Sequence, residues 1–257
     1  MSVFCNYANY YDLLYKDKDY EAEAKYVDKI LQRFLPGSRT VLELGCGTGA
    51  HAVHLIKYGY DIHGVDISEA MLARAEKNKM KLDSFLNRHL SFSIGDIRNI
   101  RLKSTYDVVI ALFHVISYLP GNEDLQAVLS TVRSHLKKGG IFLFDCWYGP
   151  AVLTEKPEVR QKYLEDDRYK IIRKAQPEMI ANANIVEVKY QLFAEDKADG
   201  QVEKIEETHR MRYLFKPEIE IFFSSSGIQM VDFFEWLTGR EPGFDTWNVC
   251  FVGRVLE

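Results

Sequence analysis

The sequence predicts an α/β fold: a seven-stranded, mostly parallel sheet with helices on both faces and an inserted antiparallel β-subdomain. Two observations lead to this prediction. In the first half of the chain, short apolar and β-branched runs alternate with helical patterns, which is typical of parallel strands joined by crossover helices. After about residue 168 the pattern changes to period-2 alternation, as in IVEVKYQLF, which is typical of antiparallel strands.

The elements of the first half follow from local signals. A helix is expected over residues 20–35, because its apolar spacing is followed by Pro36-Gly37. Ser68 is a suitable N-cap for a later helix over 69–79. We expect further helices after the glycine loop as far as Lys57, over 69–79 and over 124–136. The expected strands cover residues 40–44, 61–65, 90–94, 107–113 and 141–146.

The second half begins with the insertion, whose strands we expect between about Arg168 and Tyr213 with a turn near Asp199-Gly200. A helix is expected over 216–226, with Pro217 in its first turn. The last two strands follow it. The strands are 228–237 and 247–256, the main cofactor-binding domain is 1–150 with 214–257, and the lid or substrate subdomain is 151–213.

Composition limits the classes of protein. The 257 residues are 47% hydrophobic with a formal net charge of −4, which excludes a mainly disordered chain and lacks the basic character of a nucleic-acid binder. No apolar segment has the length of a membrane span or signal peptide, so we expect a cytoplasmic protein with no membrane partner. The scattered cysteines, which we expect to be free thiols, are Cys5, Cys46, Cys146 and Cys250.

A glycine-rich turn follows the first predicted strand. In the stretch GCGTG, Gly45, Gly47 and Gly49 allow a ligand to approach the backbone around Cys46 and leave N–H groups of the next helix available. Asp66 ends the second strand about 20 residues further on, where a carboxylate can bind both ribose hydroxyls. The pattern is Rossmann-like and predicts an adenosine-containing ligand.

Glu43 distinguishes between two such ligands. It precedes the first glycine by two positions, and its carboxylate would repel the pyrophosphate of a dinucleotide because the loop has no Lys or Arg to offset it. A ligand with an α-amino group and a sulfonium would instead be attracted. The residue therefore favours S-adenosylmethionine (SAM), with S-adenosylhomocysteine as product, over NAD.

The motifs ELGCGTG, VDIS, GDI and YDVVIALFHVISYL, in this order, resemble those of class I SAM-dependent methyltransferases. The resemblance implies that Asp66 holds the ribose and that the pair Asp96-Ile97 borders the adenine. The side chains agree with this, because Asp96 can accept from the adenine amine while Ile97, Ile67 and Met71 can enclose the ring.

A closer resemblance covers most of the chain. The segments YDLLY…KDY and FHVISYL, the β-rich insertion and the late GI segment are similar to the deoxyaminosugar N-methyltransferases that act on nucleotide-linked sugars. This resemblance implies that Tyr11 and Tyr20 close over SAM. It also implies that the inserted sheet holds the substrate or a partner subunit, so a homodimer through this sheet is expected.

The loop after the fourth strand is expected beside the methyl group of SAM. Leu112 and Phe113 would contact the cofactor, and His114 and Tyr118 are the candidate bases for removing a proton from the acceptor. No metal is expected, because His51 and His54 lack further ligands at metal-binding spacing.

These observations predict a SAM-dependent methyltransferase acting on an amine or hydroxyl of a small molecule, a sugar or nucleotide-linked sugar. The alternatives are an NAD-dependent oxidoreductase and a non-catalytic SAM-binding scaffold. A protein or tRNA methyltransferase is disfavoured, since LFHV stands where the Asn/Asp-Pro-Pro-aromatic motif of adenine-N6 and glutamine methylation would be.

Overall fold

The computed structural model of the protein describes residues 10–256, so the predicted free thiol of Cys5 lies outside the described residues. The helices are α1 (Tyr11–Leu14), α2 (Tyr20–Phe34), α3 (Ala52–Leu55), α4 (Glu69–Lys79), α5 (Ser84–Asn87), α6 (Asn122–His135), α7 (Gly149–Thr154) and α8 (Lys216–Ser225). The strands are β1 (Thr40–Leu44), β2 (Asp61–Asp66), β3 (Leu90–Ile94), β4 (Tyr106–Ala111), β5 (Leu136–Tyr148), β6 (Arg160–Glu165), β7 (Tyr169–Ile180), β8 (Ile185–Asp196), β9 (Val202–Leu214), β10 (Ile228–Glu235) and β11 (Asn248–Val255).

Seven of these strands form the sheet that the sequence predicts. Their spatial order is β3-β2-β1-β4-β5-β11-β10, parallel from β3 to β5 and antiparallel for the last two strands. The α/β class with a mostly parallel sheet is therefore confirmed. Because parallel strands share a direction, the carboxyl ends of β1, β2 and β4 meet at one edge, where ligands of such sheets bind.

The predicted seven-stranded sheet is continuous with the insertion, so that the whole sheet has eleven strands rather than seven. Strands β6 to β9 pair antiparallel with one another, and β9 also pairs parallel with β5 through Trp147–Tyr213 and Tyr148–Leu214. This junction forms because β4 ends at Ala111 and leaves the end of β5 without a neighbour on that side, while β11 occupies the other. The insertion is therefore bonded to the central sheet through the backbone.

Two apolar clusters cover the two faces of the central sheet. Residues of β5 alternate between them: Phe142 and Phe144 face α6 and α8, whereas Ile141 and Leu143 face α2 and α3. Strands buried on both faces have nearly continuous apolar sequences, which is why β4 and β5 are recognisable in the sequence. Each fully buried side chain of this kind stabilises the fold by roughly 1.5–3 kcal/mol.

Differences between predicted and observed elements have local causes. Strand β4 stops at Ala111 rather than at residue 113, because Phe113 and His114 both have φ of +64° and leave the extended conformation. Strand β6 was not predicted, because its mostly exposed side chains give little of the alternation expected for a half-buried strand.

A third apolar cluster joins the amino-terminal segment to the insertion. Tyr10 and Leu14 pack against Leu192 and other buried residues of the inserted sheet, and the Tyr10 hydroxyl donates to Glu203 Oε2 over 2.7 Å. Within the part of the chain that the structure describes, no helix is both long and apolar enough to cross a bilayer. The described cysteines are buried and unpaired, as predicted: Cys46, Cys146 and Cys250.

Candidate active site

The glycine loop between β1 and α3 is fixed to β2 by its backbone. The carbonyl of Val65 accepts from the N–H groups of Gly45 and Cys46, over 2.8 and 3.0 Å. The N–H of Gly47 donates to Asp66 Oδ2 over 2.8 Å. The start of the glycine loop is therefore held against the end of β2, with Gly47 in direct contact with Asp66, the residue predicted to bind the ribose.

Glycine is required in this loop for two reasons. Gly45, Gly47 and Gly49 have φ of +71°, +54° and +69°, a region that other residues rarely adopt. A Cβ on Gly45 would lie 2.6 Å from Val115 Cγ2, and one on Gly49 would lie 2.7 Å from Phe92 Cζ. Beside Gly47, in contrast, there is open space, where a ligand can approach the backbone.

Asp66, at the end of β2, bridges the loop and the start of α4. Its Oδ1 accepts from the N–H of Ser68 over 2.9 Å, while Oδ2 accepts from Gly47. Burial raises the pKa of this carboxyl above its ordinary value, although the backbone hydrogen bonds act in the opposite direction. The carboxylate is thus oriented by the backbone before any ligand is present.

Glu43 is buried in β1 and is 2% exposed. Burial, with a contribution from the charge of Asp66, raises the pKa of Glu43 to about 8. Its Oε2 has no hydrogen-bond partner among residues 10–256, and Nδ1 of His51 lies 3.9 Å from its Oε1. Because burial disfavours the charged form, the carboxyl keeps its proton near neutral pH when no ligand is bound, and a ligand that brings a cation to this position would favour the ionised form.

A chain of titratable side chains runs from Glu43 to the amino-terminal segment. His51 Nε2 lies 2.7 Å from Glu23 Oε2, and Lys18 contacts the other oxygen of Glu23. Burial opposes ionisation of Glu23, yet its neighbours His51 and Lys18 lower its pKa overall. The structure thus places His51 between two carboxylates. No group of three potential metal-ligating side chains occurs in the described range.

The residues predicted to surround the adenine differ in exposure. Ile67 is 61% exposed, Met71 is 2% exposed, and Ile97 is partly buried against the central core. Asp96 is held by Arg98, whose Nη2 lies 2.6 Å from Oδ2, and this guanidinium lowers the pKa of Asp96. Asp96 is therefore a charged acceptor that already has a strong partner.

The loop after β4 brings His114 against β5. Leu112 is buried, and the next two residues, Phe113 and His114, adopt the left-handed conformation. His114 Nδ1 lies 2.7 Å from Asp145 Oδ2 without the alignment of a hydrogen bond, while the backbone N–H of His114 donates to both carboxylate oxygens of Asp145 at 3.3 and 3.2 Å. This backbone strain at a loop beside a candidate site costs of order 1–3 kcal/mol and is held by the buried Asp145.

The amino-terminal tyrosines lie over the same loop. Lys18 Nζ lies 4.2 Å from the ring centroid of Phe113 and 5.2 Å from that of Tyr20. Tyr11 is hydrogen-bonded to Tyr20, and burial raises the pKa of Tyr11 above its usual value. The Tyr20 ring also contacts His51, with the centroids 5.0 Å apart. The structure therefore brings both predicted lid tyrosines to the glycine-loop edge of the sheet.

Tyr118 leads to a polar pair that the sequence analysis did not identify. Its hydroxyl lies 2.8 Å from Nδ1 of His209, and Nε2 of His209 lies 3.1 Å from Oε2 of Glu207. His209 is only 3% exposed. Both new residues come from β9, on the inward face that also carries the buried Ile205. The period-2 alternation of β9 could have pointed to Glu207 and His209, because it places these two polar residues on the buried face of the strand, where polar residues are unusual.

Aromatic side chains connect the tyrosines of α1 to the inserted sheet. The rings of Tyr15 and Phe113 lie 5.1 Å apart, and the guanidinium of Arg173 lies over both Tyr15 and Tyr190, at 5.8 and 5.3 Å. The ring of Tyr190 in turn contacts His209, and burial raises the pKa of Tyr190 to about 12. These contacts form one continuous wall from the loop after β4 to strands β7, β8 and β9.

Comparison with known proteins identifies the region around the glycine loop. Residues 41–140 match the family model described as a methyltransferase domain. This range contains β1 to β4, the glycine loop, Asp66, Asp96 and the loop with His114 and Tyr118.

Relatives of similar length include two sugar-modifying enzymes. The chain is 28% identical to dTDP-3-amino-3,4,6-trideoxy-alpha-D-glucopyranose N,N-dimethyltransferase of Streptomyces venezuelae, over 93% of this chain and 94% of that one. It is 27% identical to dTDP-3-amino-3,6-dideoxy-alpha-D-glucopyranose N,N-dimethyltransferase of Streptomyces fradiae, over 92% and 87% of the two chains. The solved structure of Streptomyces venezuelae DesVI superposes with a TM-score of 0.80 at 25% identity, covering 99% of this chain and 100% of the other.

Proposed function

We propose that this protein, which is a SAM-dependent methyltransferase, methylates the amino group of a nucleotide-linked aminosugar. The observation that carries the cofactor assignment is the buried carboxylate of Glu43, whose Oε2 has no partner in the described chain. When bound, SAM supplies an electrophilic methyl group on a sulfonium and an α-ammonium group. The ammonium is the cation that Glu43 lacks, whereas NAD would bring a pyrophosphate to the same carboxylate.

The other cofactor contacts are proposed on the positions described above. Asp66 would hold the ribose, because the N–H of Gly47 orients its carboxylate beside the glycine loop. The open space beside Gly47 would allow the ligand to lie close to the backbone. Ile67, Met71 and Ile97 would border the adenine, with Asp96 at its edge. Gly45, Cys46, Gly49, Leu112 and Phe113 would line the remaining wall, and Tyr11 and Tyr20 would cover it.

The acceptor is proposed to bind between the loop after β4 and the insertion, for which we keep the bounds 151–213. This region combines aromatic rings, which suit the faces of a sugar or base, with the cationic Arg173, which suits a phosphate. The similarity to two aminosugar N,N-dimethyltransferases over nearly the whole chain supports an amine rather than a hydroxyl as the reacting group.

The test is methyl transfer to defined acceptors. The purified chain is incubated with SAM and dTDP-3-amino-3,6-dideoxy-alpha-D-glucopyranose, and the product is analysed by mass spectrometry. We expect addition of one or two methyl groups, and no addition to the matched sugar nucleotide with a 3-hydroxyl. Methylation of the hydroxyl compound alone would overturn the choice of an amine.

Cofactor binding is tested separately by thermal unfolding. SAM and S-adenosylhomocysteine should raise the melting temperature, and NADH should not. Stabilisation by NADH alone would contradict the cofactor assignment. Stabilisation by SAM without transfer to any aminosugar nucleotide would contradict only the acceptor.

Association of two copies through the insertion stays a prediction. The outer side of the inserted sheet has a groove of about 390 Å³, and Tyr163 and Val202 beside it are 73% and 60% exposed. Exposed apolar side chains of this size are common at interfaces. Light scattering of the intact chain and of Tyr163→Lys would decide the point, because a dimer through this face should dissociate in the variant.

A further inference from the structure

We infer that Tyr118, His209 and Glu207 form a relay that takes the proton from the ammonium form of the acceptor. The inference rests on the proposed function, since it requires an amine acceptor. A free amine must have an unshared electron pair before it can form a bond to a methyl carbon, and an alkyl amine is largely protonated near neutral pH. A group that accepts this proton therefore has a direct use in the reaction.

The geometry of the three side chains is that of a hydrogen-bonded chain. Tyr118 Oη and His209 Nδ1 are 2.8 Å apart, and His209 Nε2 and Glu207 Oε2 are 3.1 Å apart. The side chains of His209 and Glu207 are 4% and 11% exposed. A histidine oriented by a carboxylate on one nitrogen and by a hydroxyl on the other is the arrangement that general-base catalysis uses.

The strand explains why these residues meet. Glu207 and His209 are two apart on β9, so both face inward while the intervening Thr208 faces outward. Tyr118 ends the short helical turn after β4, on the predicted acceptor side. The relay thus joins the loop of the methyltransferase domain to the insertion.

The proton transfers balance as follows. The Tyr118 hydroxyl donates to Nδ1 of His209, and Nε2–H of His209 donates to Glu207. The ammonium of the acceptor gives a proton to Tyr118 Oη while the hydroxyl proton passes to His209 Nδ1. The imidazolium formed is paired with the Glu207 carboxylate and releases its proton to water after the product leaves. The N–C bond then forms as the methyl–sulfur bond breaks, and the methylated amine carries the positive charge.

Other titratable groups face the relay from neighbouring elements. Tyr190 of β8 contacts His209, with ring centroids 4.8 Å apart, and Arg173 of β7 lies behind Tyr190. From α1, Tyr11 lies close enough to interact electrostatically with Tyr118. Burial raises the pKa of both Tyr11 and Tyr190, so neither is ionised near neutral pH. Because the cationic Arg173 lies over the Tyr190 ring, the pH profiles should be compared at constant, moderate ionic strength.

The first test does not depend on turnover. The ring nitrogens of the protein labelled with ¹⁵N-histidine are measured by NMR, and the signals of His209 are assigned from their absence in His209→Gln. We expect the neutral tautomer with the proton on Nε2. A proton on Nδ1 would overturn the relay, because His209 would then donate to Tyr118 and could not accept from it.

The second test uses the dependence of the rate on pH with SAM and the amino-sugar nucleotide named above. We expect His209→Gln and Tyr118→Phe each to lower kcat by about 100-fold at about pH 7, with little change in the acceptor KM. The loss should shrink as the pH rises towards the pKa of the acceptor amine, because a growing share of the amine is then unprotonated without a base. The double variant should be no slower than either single variant, because the residues act as a unit.

Glu207→Gln has a matched control in Glu206→Gln, which makes the same change at the exposed neighbouring position of β9. Glu207→Gln should show the pH-dependent loss, and Glu206→Gln should not. An equal loss at every pH would overturn the relay in favour of a structural role. A changed pH profile in His114→Gln but not in His209→Gln would assign the base to His114.

Failure of the relay and failure of the proposed function give different results. If no aminosugar nucleotide is methylated by the wild-type chain, the proposed function fails, while the tautomer of His209 still reports on the hydrogen-bond chain. If the wild-type chain is active and His209→Gln retains its full rate at about pH 7, the relay alone fails.

Discussion

The cofactor side and the acceptor side of the candidate site are built in different ways. On the cofactor side, Glu43 and Asp66 lie at the ends of neighbouring parallel strands, and backbone N–H groups orient Asp66. On the acceptor side, Tyr118 and His209 come from distant parts of the chain and are held by contacts between side chains. We therefore expect substitutions on the two sides to have separate effects. Those on the cofactor side should change the affinity for SAM, and those on the acceptor side should change the KM or the rate of methylation of the acceptor.

The largest effect is expected at Glu43, on the cofactor side. Glu43→Gln keeps the shape of the side chain but removes the charge opposite the ammonium of SAM. We expect SAM to bind more weakly by about 2–4 kcal/mol, since the ammonium loses its buried partner. Calorimetric titration measures this, with the exposed Glu220→Gln as control. An unchanged affinity in Glu43→Gln would remove Glu43 from the SAM site.

The same residue should make stability depend on pH in the absence of SAM. The folded protein holds the proton of Glu43 up to about pH 8, whereas the unfolded chain releases it near the ordinary value of 4.5. The free energy of unfolding therefore falls as the pH rises between these values, by at most about 1.4 kcal/mol per pH unit from this group. Urea unfolding across this range should show a smaller decline in Glu43→Gln, and parallel curves would refute the assignment.

Asp66 should have a comparable or smaller effect on binding. If Asp66 binds the ribose as proposed, Asp66→Ala should weaken S-adenosylhomocysteine binding by about 1–3 kcal/mol, because charge-assisted hydrogen bonds are lost. The variant Asp66→Asn, which keeps the size of the side chain, should lie between it and the wild type. Titration calorimetry provides the comparison, and equal affinity in all three proteins would show that the ribose lies elsewhere.

An acceptor-side change should leave the cofactor untouched. Arg173→Met removes the cation beside Tyr15 and Tyr190 and should raise the acceptor KM by about tenfold, or about 1.4 kcal/mol. The dissociation constant of SAM should stay the same. Lys174→Met, at the adjacent position on the other face of β7, is the matched control. A joint loss of SAM affinity in Arg173→Met would contradict the separation of the two sides.

The smallest effect is expected at Asp96. This carboxylate is paired with the half-exposed Arg98, so its interaction with an adenine amine is screened and shared. Asp96→Asn should weaken SAM binding by less than about 1 kcal/mol. Arg98→Gln in the same titration shows how much of the change comes from the ion pair alone. A loss as large as that of Asp66→Ala would mean that Asp96 is a main contact.

The residues proposed for the cofactor side were easier to select from the sequence than those proposed for the acceptor side. Glu43, the three glycines and Asp66 lie within one short stretch of consecutive strands, and parallel strands bring their carboxyl ends together whatever the rest of the chain does. His209 and Glu207 depend on where β9 ends relative to the loop after β4. That position follows from the two-residue junction with β5, which no local pattern encodes.

The fold was predicted to a similar extent. The order and bounds of β1, β3 and α4 match because apolar periodicity and capping are local signals. The turn at Phe113 and His114 was not predicted, since residues other than glycine rarely adopt a positive φ and only the buried Asp145 makes it possible. The positions of Tyr11 and Tyr20, for which a lid role is proposed, likewise depend on contacts made in the folded chain, between Lys18 and Tyr20 and between the two tyrosines.

The junction of β9 with β5 has a consequence for the exchange of specificity among enzymes of this architecture. Because Trp147 and Tyr148 pair with Tyr213 and Leu214 by backbone hydrogen bonds, the register of the insertion is independent of the side chains that face the acceptor. A chimera can be made in which the β6–β9 segment of a relative replaces that of this protein, joined at these two residue pairs. We expect it to keep the SAM affinity of this protein and to prefer the acceptor that the relative methylates. Splicing one residue away would turn every inward side chain of β9 outward.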